Sequence, residues 1–147
     1  MNRRGFTFVE MMTVIVLVGI IAALGIPRLR GSLEKQNVRS GKAAIATLVA
    51  TARSVAVQRG CPATLNMNAD SVWVTACGVN PPAASVAVGT KKFVASTYGV
   101  TLSSTAPTLV YDPRGMTTLF ATTTVRIIGP VYRDSVIINQ LGKVVRQ

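Results

Sequence analysis

From Phe6 to Ile26 the chain carries 21 residues, and Glu10 is the only charged one among them. No other feature constrains the fold as strongly. A helix of that length reaches roughly 30 Å, the thickness of a bilayer's hydrocarbon core. A carboxylate in hydrocarbon costs on the order of 3 kcal/mol even on lenient scales, so an acid kept there needs a partner. A secretory signal would have a basic start, a shorter apolar stretch and an A-x-A-like cleavage site. Arg3 and Arg4 supply the basic start. The apolar run is too long, however, and Ala22-Ala23-Leu24-Gly25 is a poor cleavage site. A plain membrane anchor would leave Glu10 unexplained.

The stretch MNRRGFTFVEMM resembles the type III leader of type IV prepilins and type II secretion pseudopilins. The resemblance implies that a prepilin peptidase cuts after Gly5 and that the new N-terminus, Phe6, is N-methylated. It implies that Glu10 pairs with the free N-terminal amine of a neighbouring subunit in a helical filament. A buried carboxylate is tolerable once a cation neutralises it, and here the cation would arrive on assembly. Pro27 falls where such chains carry a helix-kinking proline. The expected partners are other pilin or pseudopilin subunits, the prepilin peptidase and the inner membrane. The expected location is the bacterial inner membrane with a periplasmic head, and then a pilus or pseudopilus. The expected divisions are a leader at 1–5, a membrane or filament-core helix at 6–27, an amphipathic continuation at 28–60, and a β-rich head at 61–147.

From Arg28 to Arg59 the pattern is helical. Leu29, Leu33, Ile45, Leu48, Val49, Ala52, Val55 and Ala56 recur at steps of three and four, which makes one helix face. Gly60-Cys61-Pro62 is a stop signal, with glycine as the cap and proline beyond it. One helix from Phe6 to Arg59 would span roughly 80 Å. Its second half should pack on a sheet. ATARSVAVQRG is similar to the helix end of the GspH/FimT branch of pilins, which reads ARS-x-A-x-x-R. Val55 stands where that branch often has glutamate. Arg53 and Arg59 read either as part of that pattern or as solvated charges.

Two strand-like runs flank Asn68-Ala69-Asp70, a turn-rich triplet. If the hairpin centres on Ala69, Cys61 and Cys77 face each other across the ladder. Facing residues at a non-hydrogen-bonded pair have Cα atoms about 4.5 Å apart, at the low edge of disulfide geometry. A disulfide is the favoured reading. Two buried free thiols are the alternative, and the turn centre could slip by one residue. Gly78–Ser85 reads as a loop because of Pro81-Pro82. Strands are expected at Phe93–Tyr98, Val100–Ser103, Thr108–Tyr111, Thr117–Ile128, Ser135–Asn139 and Lys143–Arg146. Asp112-Pro113-Arg114-Gly115 should be a β-turn. LVYDPRG also resembles the GspH/FimT pattern. The whole reads as α+β: a type IV pilin fold, with one long N-terminal helix, half of it transmembrane, packed on an antiparallel β-rich domain.

The net charge is +11, from 16 basic and 5 acidic residues. Loss of Arg3 and Arg4 with a leader would leave 14 basic residues and a net of +9. Such a charge attracts anions. Some FimT-type minor pilins bind DNA through a C-terminal GRxR-like element. The tail here reads Gly142-Lys143-Val144-Val145-Arg146-Gln147. Lys143 and Arg146 are three apart, so in a regular strand they point to opposite faces. Lys91, Lys92, Arg114, Arg126 and Arg133 are the other DNA-contact candidates, for backbone tracking without sequence readout. Scattered solvated charge is the alternative. The chain has no histidine and no CxxC spacing, which excludes a His-based triad and a zinc site within it. It also lacks G-x-S-x-G and a phosphate loop. A non-catalytic protein without cofactor or metal is expected.

Overall fold

The computed structural model describes residues 6–78, 85–119 and 121–145, leaving aside the side chains of residues 27 and 28. Gly5, Arg146 and most of the proline-rich loop therefore lie outside the described residues. The chain divides into two compact units, Met1–Leu33 and Glu34–Gln147, and each is taken by itself. Helix α1, Phe8–Arg59, supplies helical residues to both.

In the first unit the helical residues expose their apolar side chains on every side. Phe8, Val9, Ile15, Val16, Leu17 and Ile21 are all exposed. Uniform apolarity without a polar face is what a lipid or protein environment requires and water opposes. The segment is long and apolar enough to cross a membrane. Leu29 and Leu33, expected on the packed face, are each 63% exposed. They belong to this unit.

In the second unit α1 buries Val38, Ile45, Leu48, Val49, Ala52, Val55 and Ala56, at the spacing of a single stripe. The helix stops at Arg59 because Gly60 takes φ +62°, a left-handed conformation that a side chain disfavours. Among the described residues, eight strands follow in two antiparallel sheets. The first sheet has the order β3-β2-β1-β5, from β1 (Ala63–Met67), β2 (Ser71–Cys77), β3 (Ser85–Phe93) and β5 (Thr108–Tyr111). The second has the order β4-β6-β7-β8, from β4 (Thr101–Ser104), β6 (Thr123–Ile128), β7 (Arg133–Ile138) and β8 (Val144–Val145). The inner faces of both sheets and the α1 stripe form one core, with Leu65, Val74, Leu109, Tyr111, Val125, Ile127 and Ile138 fully buried.

Several expectations need correction. Phe93–Tyr98 is not a strand. Phe93 ends β3, and Val94–Tyr98 is a short helix, α2, closed by Gly99 in the left-handed region. Ser85 is not loop but the first residue of β3. Among the described residues of Thr117–Ile128 the strand is Thr123–Ile128, with Thr117 held by an isolated bridge to Tyr111. Among the described residues the last strand is Val144–Val145, with Lys143 ahead of it.

The first hairpin pairs Met67 with Val72 and Ala63 with Ala76, so it centres between Ala69 and Asp70, one residue-step from the expected register. The turn closes through the Asn68 N–H, which donates to the Ser71 carbonyl at 2.9 Å. Cys61 and Cys77 are therefore not ladder partners. They form a disulfide all the same, with Cα atoms 6.3 Å apart. Cys61 lies ahead of β1, free of the ladder, and so can turn its sulfur to Cys77. Arg59 donates from Nη1 to the Cys77 carbonyl at 2.6 Å, tying the end of α1 to the same point. Arg59 is thus not a merely solvated charge.

Candidate functional site

The N-terminal turn is a capping box. Thr7 stands just ahead of α1, and Glu10 lies three residues on. The Thr7 N–H donates to Glu10 Oε2 at 2.9 Å, and the Thr7 hydroxyl donates to the same oxygen at 3.0 Å. In return the Glu10 N–H donates to Thr7 Oγ1 at 3.3 Å. The first turn of a helix has orphan N–H groups, and this exchange satisfies two of them. The carboxylate also sits at the positive end of the helix dipole. So Glu10 has local partners within one chain. Thr-Phe-Val-Glu is a capping-box pattern legible from spacing alone. Phe6 and the apolar residues after it are exposed around this turn.

Three acids of the head, Glu34, Asp112 and Asp134, have structural partners. Glu34 Oε1 accepts the N–H groups of Val131 and Tyr132, the latter at 2.8 Å. This braces the turn between β6 and β7, which also closes through the Gly129 N–H onto the Tyr132 carbonyl at 2.9 Å. Asp112 Oδ1 accepts the N–H groups of Arg114 and Met116 at 3.0 and 2.9 Å, which forms the expected turn. Asp134 meets Lys42 Nζ at 2.9 and 3.0 Å, joining β7 to α1. Burial raises the Asp134 pKa, but the Lys42 hydrogen bond, the Ser135 N–H and the charges of Lys42 and Arg39 outweigh that. The carboxyl ends up below its ordinary value. Among the described residues no cluster of His, Cys, Asp or Glu could hold a metal ion.

A depressed carboxyl pKa stabilises the fold above the unfolded value, near 3.9, and that contribution fades as pH falls through the folded pKa. Acid unfolding of the full chain in detergent, followed through Trp73, should therefore steepen below about pH 4. Asp134→Asn should cost about 1–2 kcal/mol at neutral pH, between an exposed pair and a charged hydrogen bond, and should flatten that acid limb.

The basic candidates separate. Lys91 and Lys92 lie on β3, an edge of the first sheet, where the Lys91 ammonium sits 4.3 Å from the centre of the Trp73 ring. Lysine and the bulge between Val72 and Val74 are features that blunt an edge against unwanted pairing. Arg114 lies in the Asp112 turn, 3.7 Å from that carboxylate. Lys143 precedes β8, an edge of the second sheet, and its N–H donates to Asn139 Oδ1 at 2.8 Å. Arg126 and Arg133 share the outer face of the second sheet and line one recess. The structure thus brings Arg126 and Arg133 together, and places Lys91-Lys92 on the other sheet.

The tail glycine has a packing role. Gly142 has φ +70° and lies against the Tyr111 ring. The Tyr111 hydroxyl donates to the Gly142 carbonyl at 3.3 Å. Burial pushes this phenol up to about 12, against the pull of the Arg53 charge, so it remains a donor at physiological pH.

Residues 43–142 match the family described as Type II transport protein GspH, and residues 1–26 match the prokaryotic N-terminal methylation motif. The Type II secretion system core protein G of Escherichia coli (strain K12) is 41% identical over 47 residues, which is 32% of this chain and 32% of that protein. The protein of the same name from Klebsiella pneumoniae is 52% identical over 36 residues, 24% of this chain and 26% of its own length. The matched stretch is thus about a third or less of these curated relatives. In fold, the chain is similar to the crystal structure of the type IV minor pilin FimU of Pseudomonas aeruginosa (strain PAO1). The TM-score is 0.60 at 16% identity, over 78% of this chain and 90% of that one. The likeness establishes the pilin fold, with its long N-terminal helix and antiparallel sheets.

Proposed function

The chain belongs to the GspH family of type II transport proteins, and from that premise we propose that it is a non-catalytic subunit of a membrane-anchored filament, a type IV pilus or a type II secretion pseudopilus. The observation that carries the reading is the N-terminal turn. An exposed apolar helix begins at Phe8, with Glu10 at its first turn and the methylation motif matched over residues 1–26. Before assembly the apolar side chains rest in the inner membrane, and the head lies in the periplasm. Prepilin peptidase removes residues 1–5, and Phe6 is methylated. In the filament the same side chains pack against other subunits. Glu10 then exchanges its contact with Thr7 for the amine of a neighbour, which sets the register. Pro27 bends the helix between its membrane and head portions.

Cleavage is directly measurable. The intact mass of the chain recovered from membranes should correspond to a start at Phe6 plus one methyl group. Gly5→Glu should leave the leader attached and the methyl group absent. A mature chain still starting at Met1 in the unmodified protein would remove the processing step.

DNA contact is a narrower second reading, carried by the net charge of +11 rather than by any one patch. It predicts binding of duplex DNA that weakens steeply with salt. Lys143 and Arg146, Lys91, Lys92 and Arg114 would add to it only where they reach the same duplex.

A further inference from the structure

The outer face of the second sheet carries two guanidiniums beside an apolar knob. The register pairs Arg126 with Ser135 and Arg133 with Ile128, which puts both arginines on the side away from the buried Val125, Ile127 and Val136. They stand diagonally across neighbouring strands, within reach of one another for long side chains. Both line one recess with Ile128, Asp134 and Ser135. Among the described residues neither guanidinium has a hydrogen-bond or ion-pair partner. Asp134 is the acid in this recess, and it is already held by Lys42. The recess is therefore left with two uncompensated positive charges.

Beside it stands the β6–β7 turn. Val131 at its tip is 87% exposed, among the most exposed large apolar side chains of the protein. Such a tip would normally be mobile. Here Glu34 accepts the N–H groups of both Val131 and Tyr132, and Lys35 sits over the Tyr132 ring at 5.6 Å. A carboxylate from the helix thus holds an apolar side chain out into solvent. A pre-ordered anchor loses less freedom on binding. Arginine beside an exposed apolar knob is the composition of a protein interface. A nucleic-acid surface is far more uniformly positive and tracks phosphates in a row. Here the two arginines flank an apolar floor, Ile128, and an apolar knob.

We propose that the Arg126–Arg133 recess and the braced Val131 tip form one docking surface for the head of a neighbouring subunit, which presents a carboxylate to the arginines and an apolar pocket to Val131. Planar guanidiniums take a carboxylate in a two-point grip. The valine would fill a pocket whose burial supplies most of the affinity, while the charges set orientation and exclude basic partners. Glu34 acts as a positioning residue, by holding the tip. The proposal rests on the filament reading only for where the partner is met.

The test places a photoreactive phenylalanine at position 131 of the full-length chain in its host cells. After irradiation, adducts are recovered from membranes and from sheared filaments and mapped by mass spectrometry. The expected adduct joins this chain to one other filament subunit, at an apolar residue close to an Asp or Glu. Arg126→Glu together with Arg133→Glu should cut the yield about tenfold or more, the equivalent of one weakly coupled charge pair. Changing the partner's acid to Arg should restore it in that double variant, which also shows the variant to be folded. No protein adduct, an adduct to nucleic acid alone, or a yield indifferent to charge reversal would each overturn the docking surface. Sedimentation of the same chain with filaments is scored separately. A chain that sediments with filaments but gives no adduct overturns the surface alone. A chain that gives the charge-dependent adduct but never sediments overturns the filament reading alone.

Discussion

Glu10→Ala should remove the chain from filaments while leaving its head folded. The head's core is built from Val38 onward, so nothing within residues 6–33 is needed for it. In a filament, truncating Glu10 would leave a neighbour's amine buried without its counter-charge. Breaking such a pair costs about 3–5 kcal/mol, or more than a hundredfold in incorporation. Loss of the capping contacts with Thr7 would account for only about 1 kcal/mol. Glu10→Gln separates the two effects. Glutamine serves in a capping box as glutamate does, but it carries no charge. If the charge is what matters, Gln should fail almost as badly as Ala. If Gln incorporates normally, the acid is a helix cap and the pairing idea is wrong.

The second large effect lies at Gly142. Gly142→Val should destabilise the head by about 3–4 kcal/mol, combining left-handed strain with overpacking. At φ +70° a β-branched residue is strained whatever space surrounds it. An added Cβ would also run into the edge of the Tyr111 ring and come within 3.1 Å of Thr117 Cγ2. Tyr111 is fully buried between core and tail and has no room to retreat. Thermal unfolding of the full chain in detergent should show the loss, whereas the exposed neighbour Lys143→Ala should stay within about 0.5 kcal/mol of the unmodified protein. A Gly142→Val chain of normal stability would show that the tail does not pack on Tyr111 as described. In the sequence Gly142 looked like part of a basic tail element. Its left-handed backbone and the tyrosine ring against it are long-range facts that no local pattern carries.

The same contrast runs through the rest of the chain. The stripe Ile45 to Ala56 was legible because a helix that packs on a core repeats its apolar residues every three or four positions. Leu29 and Leu33 continue that repeat yet stay exposed, since periodicity marks a helix face and not what covers it. β5 was legible with its ends, being short and bounded by Pro107 and the Asp112 turn. β3 was missed because it is an edge strand with almost every residue exposed, so no alternation marks it. α2 was mistaken for strand because Phe93-Val94-Ala95-Ser96-Thr97-Tyr98 has β-like composition. The Gly99 cap, with its N–H on the Ala95 carbonyl, decides otherwise. The disulfide was correctly paired from a register one step off, because Cys61 lies outside the ladder and tolerates the slip. The N-terminal methylation motif is legible in the sequence, and the same spacing carries the Thr7–Glu10 exchange. The basic surface was legible only as a list of charges. Which of them share a face depends on the pairing of β6 with β7.

The filament reading is tested most directly by shearing surface or periplasmic filaments from cells, sedimenting them and probing for this chain. It should sediment with the filaments and remain in the membrane when the major filament subunit is deleted. A chain that stays in the membrane beside intact filaments, or that sediments equally well without them, would contradict the account.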